Sequence, residues 1–310
     1  MNRKPIVVVG SINIDLVARA GRIPLAGQTV SSSDFQTHPG GKGANQAVAV
    51  ARLGYPVRLI GRVGSDAFGE QLRAQLRESG VDASLVLTSP GPSGVALIAV
   101  APNGENAIVV TPGANAQVSP EDVGSNAGVI REAGAVLAQL EIPLETVECL
   151  AALCAQTGVP LLLDPAPARA LPAGLLNHVS WLTPNETEIA ECFPADLARP
   201  PDAIRMAETL AQRVKSGVVL KMGERGAFLA GSNGLRQQIE AFRVAAVDTT
   251  AAGDAYNGAF AVGFMTGRST VESARFAAAA GAVSVTRAGA QPSMPTMQDV
   301  ERLQKESARP

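Results

Sequence analysis

Short apolar runs alternate with amphipathic helical patterns along nearly the whole chain, and this alternation limits the possible folds more than any other feature. The runs at Ile6–Val9, 57–63, 135–140, 159–163 and 218–220 are mostly apolar. Strands of a parallel sheet that is covered on both faces have this character. We therefore predict an α/β fold, with a doubly wound, mainly parallel sheet flanked by helices.

The helical patterns between these runs have ordinary stop signals. Small apolar residues recur on one face over 43–53, and the pattern ends at Gly54. Larger apolar residues recur over 66–79, and that pattern ends at Gly80. Glycine commonly follows the last turn of a helix, so both patterns predict helices of about three turns.

Two segments, 12–36 and 94–111, have strand signals without helices. The first contains Pro24 and Gly27, and the second contains the turn residues Pro102, Asn103 and Gly104. We expect a small β-sheet outside the main one, covering a cleft, a second subunit or both, because such a sheet cannot bury both faces alone. No repeat or low-complexity linker is present, which favours a single domain over 1–310 with this β-lid.

Composition excludes several classes of protein. The chain has 26 Lys and Arg against 28 Asp and Glu, a net charge of -2, with no basic block. Nucleic-acid binding is therefore not expected. Uncharged stretches are too short or too polar to span a membrane, and the apolar run after Pro5 is too short for a signal peptide, so we expect a cytoplasmic protein. With only two histidines, acid–base chemistry falls to carboxylates.

A loop of small residues at 247–253 leads into a helical pattern rich in Ala and Gly. Successive backbone N–H groups in such a loop, together with the positive end of the helix, can surround an anion. Asp254 then lies in the first turn, beside the anion. The alternative is that Asp254 serves only as a helix cap.

A second glycine-rich segment spans 38–47. Its glycines allow close backbone approach, Lys42 supplies a cation, and Asn45 supplies an amide that both donates and accepts hydrogen bonds. It is not a Walker A sequence. By itself the segment also fits a simple tight turn.

Together these two segments resemble the paired signatures of the ribokinase family, the carbohydrate kinases also called the phosphofructokinase B group. Seven segments, with these two included, resemble the family in the same order along the chain: 10–15, 40–45, 164–167, 183–188, 221–226, 248–254 and 286–293. The resemblance implies ATP-dependent phosphorylation of D-ribose at O5 to give D-ribose 5-phosphate.

The resemblance also assigns roles to the reacting groups. Asp254 would be the general base for the sugar hydroxyl, and the amides of Ala251, Ala252 and Gly253 would form the anion hole. The substrate-binding residues it implies are Asn13, Asp15, Gly41, Lys42, Gly43, Asn45, Glu141 and Asp254. Family resemblance places Asn13 near the 2-hydroxyl of ribose.

For the nucleotide and the ions, the resemblance implies two further sets. The nucleotide set is Asn185, Lys221, Gly223, Glu224, Gly226 and Gly253, in which Lys221 either contacts phosphate or points to solvent. Glu188 would organise the water shell of Mg²⁺, and it also reads as part of a capping box with Asn185. The set for K⁺ or another monovalent cation is Asp248, Thr250, Ser284, Arg287, Gly289 and Ser293.

The implied partners are D-ribose, ATP and a second copy of the chain bound through the β-lid. Three alternatives stay open at this point. The chain is a kinase for 2-deoxyribose or another pentose or hexose, a sensor without turnover, or a dinucleotide oxidoreductase. The last is disfavoured because the first strand is not followed by the GxGxxG pattern.

Overall fold

A nine-stranded sheet forms the centre of the computed structural model, which describes residues 3–193 and 202–307. With strands numbered in chain order over both sheets, its members are β1 (Ile6–Val9), β4 (Val57–Gly64), β5 (Val86–Ser89), β8 (Ala135–Ala138), β9 (Leu161–Leu163), β10 (Trp181–Leu182), β11 (Gly217–Lys221), β12 (Ala227–Gly231) and β13 (Arg236–Ile239). Their order is β13-β12-β11-β10-β9-β8-β1-β4-β5. All neighbours are parallel except the β11–β12 and β12–β13 pairs. The mainly parallel α/β sheet is thus confirmed.

Helices cover both faces of this sheet. One layer contains α1 (Lys42–Arg52), α2 (Ala67–Glu78), α9 (Ala252–Met265), α10 (Thr270–Ser284) and α12 (Met297–Ser307). The other contains α3 (Pro120–Ser125), α4 (Ala127–Glu132), α5 (Leu144–Thr157), α6 (Ala173–Leu176), α7 (Glu186–Cys192) and α8 (Ala203–Ala211). A short helix, α11 (Ala290–Ser293), precedes α12. In β1, Ile6 and Val8 face the first layer while Val7 and Val9 face the second, so the all-apolar strand fills two cores.

The predicted strands exist, with small differences at their ends. The run at 159–163 forms a strand only from Leu161, because Pro160 has no backbone N–H for the ladder. Strands β5, β10, β12 and β13 have no counterpart among the apolar runs singled out from the sequence. β10 has only two residues, and the edge strand β13 reads Arg-Gln-Gln-Ile, so neither has the apolar length that identifies a strand.

The second sheet contains β2 (Asn13–Ala20), β3 (Ser32–Gly40), β6 (Gly94–Val100) and β7 (Asn106–Thr111), in the order β3-β2-β6-β7. β2 and β6 are parallel and the other pairs are antiparallel. β3 continues four residues beyond the expected end at 36 and reaches Gly40. This sheet, called the lid below, therefore leads directly into the glycine loop before α1.

Both faces of the lid carry apolar side chains. By register, Asp15 shares a face with Ile98 and Ile108, while Leu97 and Val109 lie on the opposite face. Val109 is 62% exposed and Ile108 53% exposed. Within 3–193 and 202–307, no helix is long and apolar enough to cross a membrane.

Candidate active site

The glycine loop packs against the turn between β1 and β2. Gly41 has φ 86°, and a Cβ there would lie 2.7 Å from the Asn13 backbone nitrogen. A Cβ on Gly43 would lie 2.6 Å from the Gly10 carbonyl carbon. Larger residues would push the loop away, so the two glycines place Lys42 and Asn45 beside the residues that follow β1.

Carboxylates and one ammonium group gather at this point. Glu141, just after β8, accepts hydrogen bonds from the Lys42 amide at 3.0 Å and from the Ser11 hydroxyl at 2.5 Å. Burial, with the negative charges of Glu141 and Asp254, raises the pKa of Asp15 to about 7. Burial acts to lower the pKa of Lys42, but the surrounding carboxylates outweigh it and raise that pKa. Lys42 therefore stays charged among acidic groups.

The buried amide of Asn13 has a fixed direction. Its Oδ1 accepts a hydrogen bond from Asn115 Nδ2 at 2.6 Å, and Asn115 is itself held by the backbone of Ile12. No hydrogen bond within the described residues engages Asn13 Nδ2. The side chain, only 3% exposed, therefore has an oxygen already engaged by Asn115 and an Nδ2 donor that is not engaged.

Asp254 lies in the first turn of α9 and is 4% exposed. Asn45 Nδ2 donates to its Oδ2 at 3.0 Å, and Gln46 Nε2 donates to its Oδ1 at 3.0 Å. Burial raises the pKa of Asp254 to about 6, while Lys42 and the two amides act in the opposite direction. Near neutral pH this carboxyl group is mostly ionised and able to accept a proton.

The loop at 247–253, called the anion loop below, has the form of an anion site. Ala251, with φ 58°, adopts a left-handed conformation and precedes the first helical residue, Ala252. Ala252 N donates to the Thr249 carbonyl oxygen at a long 3.3 Å. No backbone hydrogen bond within the described part of the chain engages the amides of Ala251 and Gly253. These amides lie at the positive end of α9.

Two cavities meet at Gly253. The larger, of about 800 Å³, is lined by Lys221, Gly223, Glu224, Gly226, Gly253 and a mainly apolar wall that includes Phe242, Tyr256 and Val285. The smaller, of about 240 Å³, is polar and lined by Lys42, Asp164, Asn185, Glu188, Lys221, Gly223, Thr249 and residues 251–254. The arrangement suits a flat apolar group in the larger cavity and an anion in the smaller one.

Lys221 does not point to solvent. Its ammonium group lies 2.9 Å from Asp164 Oδ1, and the two side chains are 13% and 3% exposed. A Cβ on Gly253 would lie 3.3 Å from Lys221 Nζ. Of the two alternatives left open by the sequence, the solvent-facing one is therefore wrong, and Lys221 lies against the anion loop.

Asn185 and Glu188 form a capping box at the start of α7. Asn185 Oδ1 accepts from the Glu188 amide at 2.8 Å, and Glu188 Oε2 accepts from the Asn185 amide at 2.7 Å. Burial raises the pKa of Glu188. Glu188, Asp164 and Asp254 all line the smaller cavity. Among the described residues, no group of three or more His, Cys, Asp or Glu is placed to hold a metal ion directly.

Among the residues expected around a monovalent cation, Asp248, Thr250 and Gly289 are joined by hydrogen bonds. Asp248 accepts from the Thr250 amide at 2.9 Å and the Gly289 amide at 2.8 Å. Burial would raise the pKa of Asp248, but these hydrogen bonds lower it. Arg287 N donates to the Ser284 carbonyl oxygen, and the hydroxyl of Ser293 donates to Ala290. One ionised carboxylate with backbone and hydroxyl oxygens suits a weakly hydrated cation.

Four residues of the site were not predicted as functional: Gln46, Gln139, Asn115 and Asp164. Gln46 could have been identified from the sequence, because it lies four positions after Lys42 and therefore on the same helix face. Asp164 directly follows β9, at the carboxyl edge of the sheet where ligands of such folds bind. Nothing in the local sequence around Asn115 or Gln139 indicates their roles.

Comparison with known proteins gives one consistent result. Residues 3–297 match the model for the pfkB family of carbohydrate kinases. The chain is 39% identical over 298 residues to a ribokinase of Haemophilus influenzae, covering 96% of this chain and 97% of that protein. It is 40% identical over 299 residues to a ribokinase of Bacillus subtilis, covering 96% and 98%.

A solved structure resembles the whole molecule. The structure of Arabidopsis thaliana ribokinase complexed with ribose and ATP superposes with a TM-score of 0.90 at 35% identity, covering 98% of this chain and 99% of that one. The expected family is thereby confirmed. With its mainly parallel sheet, its lid, and a buried carboxylate at an anion loop, this chain belongs to the pfkB family of carbohydrate kinases.

Proposed function

We propose that this chain transfers the γ-phosphoryl group of ATP to the 5-hydroxyl of D-ribose, giving D-ribose 5-phosphate and ADP. The observation that carries the proposal is the position of Asp254. Its buried carboxylate lies between the polar cluster of Asp15, Lys42 and Asn45 and the cavities at Gly253. A base at such a junction serves transfer from one bound molecule to another.

In the proposed reaction Asp254 accepts the proton of the sugar hydroxyl while its oxygen attacks the γ-phosphorus. A new O–P bond forms, the bond between the γ-phosphorus and the β–γ bridging oxygen breaks, and ADP leaves. The amides of Ala251 and Gly253 face the charge that builds on the transferred group, with Ala252 giving up its long bond to Thr249.

The nucleotide is proposed to lie along the two cavities. The larger cavity accepts the base and its sugar among Gly223, Glu224, Gly226 and Gly253, and the polar one accepts the phosphates beside Lys221 and Asn185. Glu188 would hold Mg²⁺ through water, and the ion would neutralise phosphate charge. The capping box uses Glu188 Oε2, which leaves Oε1 for a water molecule.

A monovalent cation such as K⁺ is proposed at Asp248, with Thr250, Ser284, Arg287, Gly289 and Ser293 as the other ligands. Support comes from the hydrogen bonds that tie Asp248 to Thr250 and Gly289. A cation there would hold the 248–250 segment, and with it the anion loop, without touching the sugar.

Ribose is proposed over 2-deoxyribose because Asn13, a residue only 3% exposed, has its Nδ2 free to donate to a bound sugar. A hydroxyl at C2 gives this donor an acceptor, while an analogue without the hydroxyl leaves it unpaired. A coupled ADP-release assay over ribose, 2-deoxyribose, fructose and other pentoses and hexoses tests the function, with the phosphorylated carbon of the product identified by NMR. Absence of ADP release with every sugar would support the sensor alternative instead.

The chain is proposed to act as one kinase domain in the cytoplasm and as a homodimer through the lid. Exposed apolar residues such as Phe35, Leu97 and Val109 form a surface that a second lid would cover. Light scattering should give twice the chain mass of 31.8 kDa. Val109→Ser should weaken that association, and a mass near 32 kDa for the unmodified protein would contradict the dimer.

A further inference from the structure

The buried amide of Gln46 lies between two carboxylates. Its Nε2 donates to Asp254 Oδ1 at 3.0 Å and to Asp164 Oδ2 at 3.1 Å, and the residue is 0% exposed. A primary amide has two N–H hydrogens, so each carboxylate takes one. Both N–H hydrogens of the amide are therefore used by these two carboxylates.

A second glutamine determines which way this amide points. Gln139 Nε2 donates to Gln46 Oε1 at 2.6 Å. With the Gln46 amide reversed, its carbonyl oxygen would face two carboxylates, and two NH₂ groups would face each other. Gln139 is 0% exposed and its own Oε1 has no hydrogen-bond partner. A buried unpaired oxygen is destabilising, so this pair is not explained by stability alone.

We infer that Gln46 is a positioning residue for the transfer: its amide holds the Asp254 carboxylate in place and ionised, and Gln139 fixes the direction of that amide. This inference rests on the proposed function, in which Asp254 is the base. Gln46 touches no reacting atom in this account and acts only through Asp254.

The charged groups around Asp254 come from six elements of the site. They are Asp15 on β2, Lys42 on α1, Glu141 after β8, Asp164 after β9, Glu188 on α7 and Lys221 on β11. All of them stay when Gln46 is replaced by Met. The hydrogen bond from Gln46 lowers the pKa of Asp254, so its loss should raise that pKa and leave less base at neutral pH.

The test is the pH profile of kcat/KM for ribose, measured from pH 5 to 9 at saturating Mg-ATP. Gln46→Met keeps the length of the side chain without its donors. We expect the ascending limb to move upward by about one pH unit, which by itself lowers the ionised fraction of the base at pH 7 about twofold. The loss of positioning should bring the total fall in kcat/KM at pH 7 to about 10- to 100-fold. Gln75→Met, at a partly buried glutamine on α2, is the matched control and should leave the limb unmoved.

Gln139→Met should move the limb in the same direction by a smaller amount. The double variant should be little worse than Gln46→Met alone, because Gln139 acts through Gln46. A merely structural role would instead reduce the folded fraction without moving the limb. If the losses of kcat/KM in the two single variants add up in the double variant, the role assigned to Gln139 is overturned.

A folded Gln46→Met protein with an unmoved limb would overturn the inference. Where Gln46→Met does not fold, the pH profile of Gln139→Met is used instead, and an unmoved ascending limb in that variant would overturn the inference. Failure of the proposed function gives a different result: no sugar is phosphorylated by the unmodified enzyme, or Asp254→Asn keeps its turnover. Either of these would overturn the inference as well.

Discussion

Asn45 Nδ2 donates a hydrogen bond to Asp254 Oδ2 across 3.0 Å, although the two residues are 209 positions apart. The bond joins the first turn of α1 to the first turn of α9. It places the glycine loop at the start of α1 in contact with the loop that precedes Asp254. The buried carboxylate thus lies where both proposed substrates would meet.

Asp254→Asn should lower kcat by about 100-fold or more, because the amide cannot take the proton of the sugar hydroxyl. The affinity for ribose, measured by titration calorimetry, should change little, since the amide is the same size as the carboxylate. Asp82→Asn, at an exposed aspartate paired with Arg58, is the control. Near-normal turnover of Asp254→Asn would remove Asp254 from the mechanism.

Asp15→Asn should make the ligand-free protein more stable at pH 8. The folded-state pKa of Asp15, about 7, lies above the ordinary aspartate value. The folded protein therefore binds this proton more tightly than the unfolded chain, and the stability contributed is lost as pH rises from about 4 to 7. The asparagine has no such loss.

Thermal unfolding at pH 5 and pH 8 measures this difference. From pH 5 to pH 8, the melting temperature of the unmodified protein should fall by a few degrees more than that of Asp15→Asn. This corresponds to a loss of about 1–2 kcal/mol in the free energy of unfolding. Ribose binding should weaken in the variant. A pH-independent difference between the two proteins would contradict the raised pKa.

Asn13→Met should narrow the preference for ribose over 2-deoxyribose. Under a bound sugar that lacks the 2-hydroxyl, the Nδ2 donor is covered and unpaired, which costs about 1–3 kcal/mol, or roughly 10- to 100-fold in kcat/KM. Methionine removes the unpaired donor and adds apolar surface. The measurement is the ratio of kcat/KM for the two sugars.

Asn115→Leu is the companion variant, because Asn115 holds Asn13 Oδ1. It should narrow the same ratio by a smaller factor, since Asn13 keeps its amide but loses its orientation. Equal efficiency of the unmodified enzyme with both sugars would show that Asn13 does not select the sugar.

Lys221→Met should raise the KM for ATP about tenfold or more through loss of a phosphate contact. It should also destabilise the protein by about 3 kcal/mol, because Asp164 remains as a buried carboxylate without its ion-pair partner. Adding Asp164→Asn should restore much of the stability but not the affinity for ATP. Lys215→Met, at an exposed lysine, is the control, and an unchanged KM in Lys221→Met would exclude the phosphate contact.

Activity should depend on the monovalent cation. Replacing K⁺ by a large organic cation should lower kcat, because the 248–250 segment would lose the ion that holds it in place. Asp248→Asn should lower the basal rate and abolish the response to K⁺, with Asp82→Asn as the control. Equal rates with both cations would dismiss the site.

Part of this molecule follows from local sequence. The all-apolar run at Ile6–Val9 predicts a strand covered on both faces, and the structure confirms this, because a side-chain period of two sends alternate residues to two cores. Asp254 is predictable as a first-turn residue since small residues before it and the Ala- and Gly-rich pattern after it define the helix start.

Only the tertiary structure decided which polar groups meet. Gln46 contacts Asp254 and Asp164, and Asn13 contacts Asn115, at separations of more than 100 residues. Lys221 turned toward Asp164 rather than solvent for the same kind of reason. Local patterns determine strands, helices and turns over a few residues, whereas these contacts depend on crossovers that bring strand ends to one edge of the sheet. Burial at that edge then raises the pKa of Asp15 and Asp254, an effect no short-range pattern encodes.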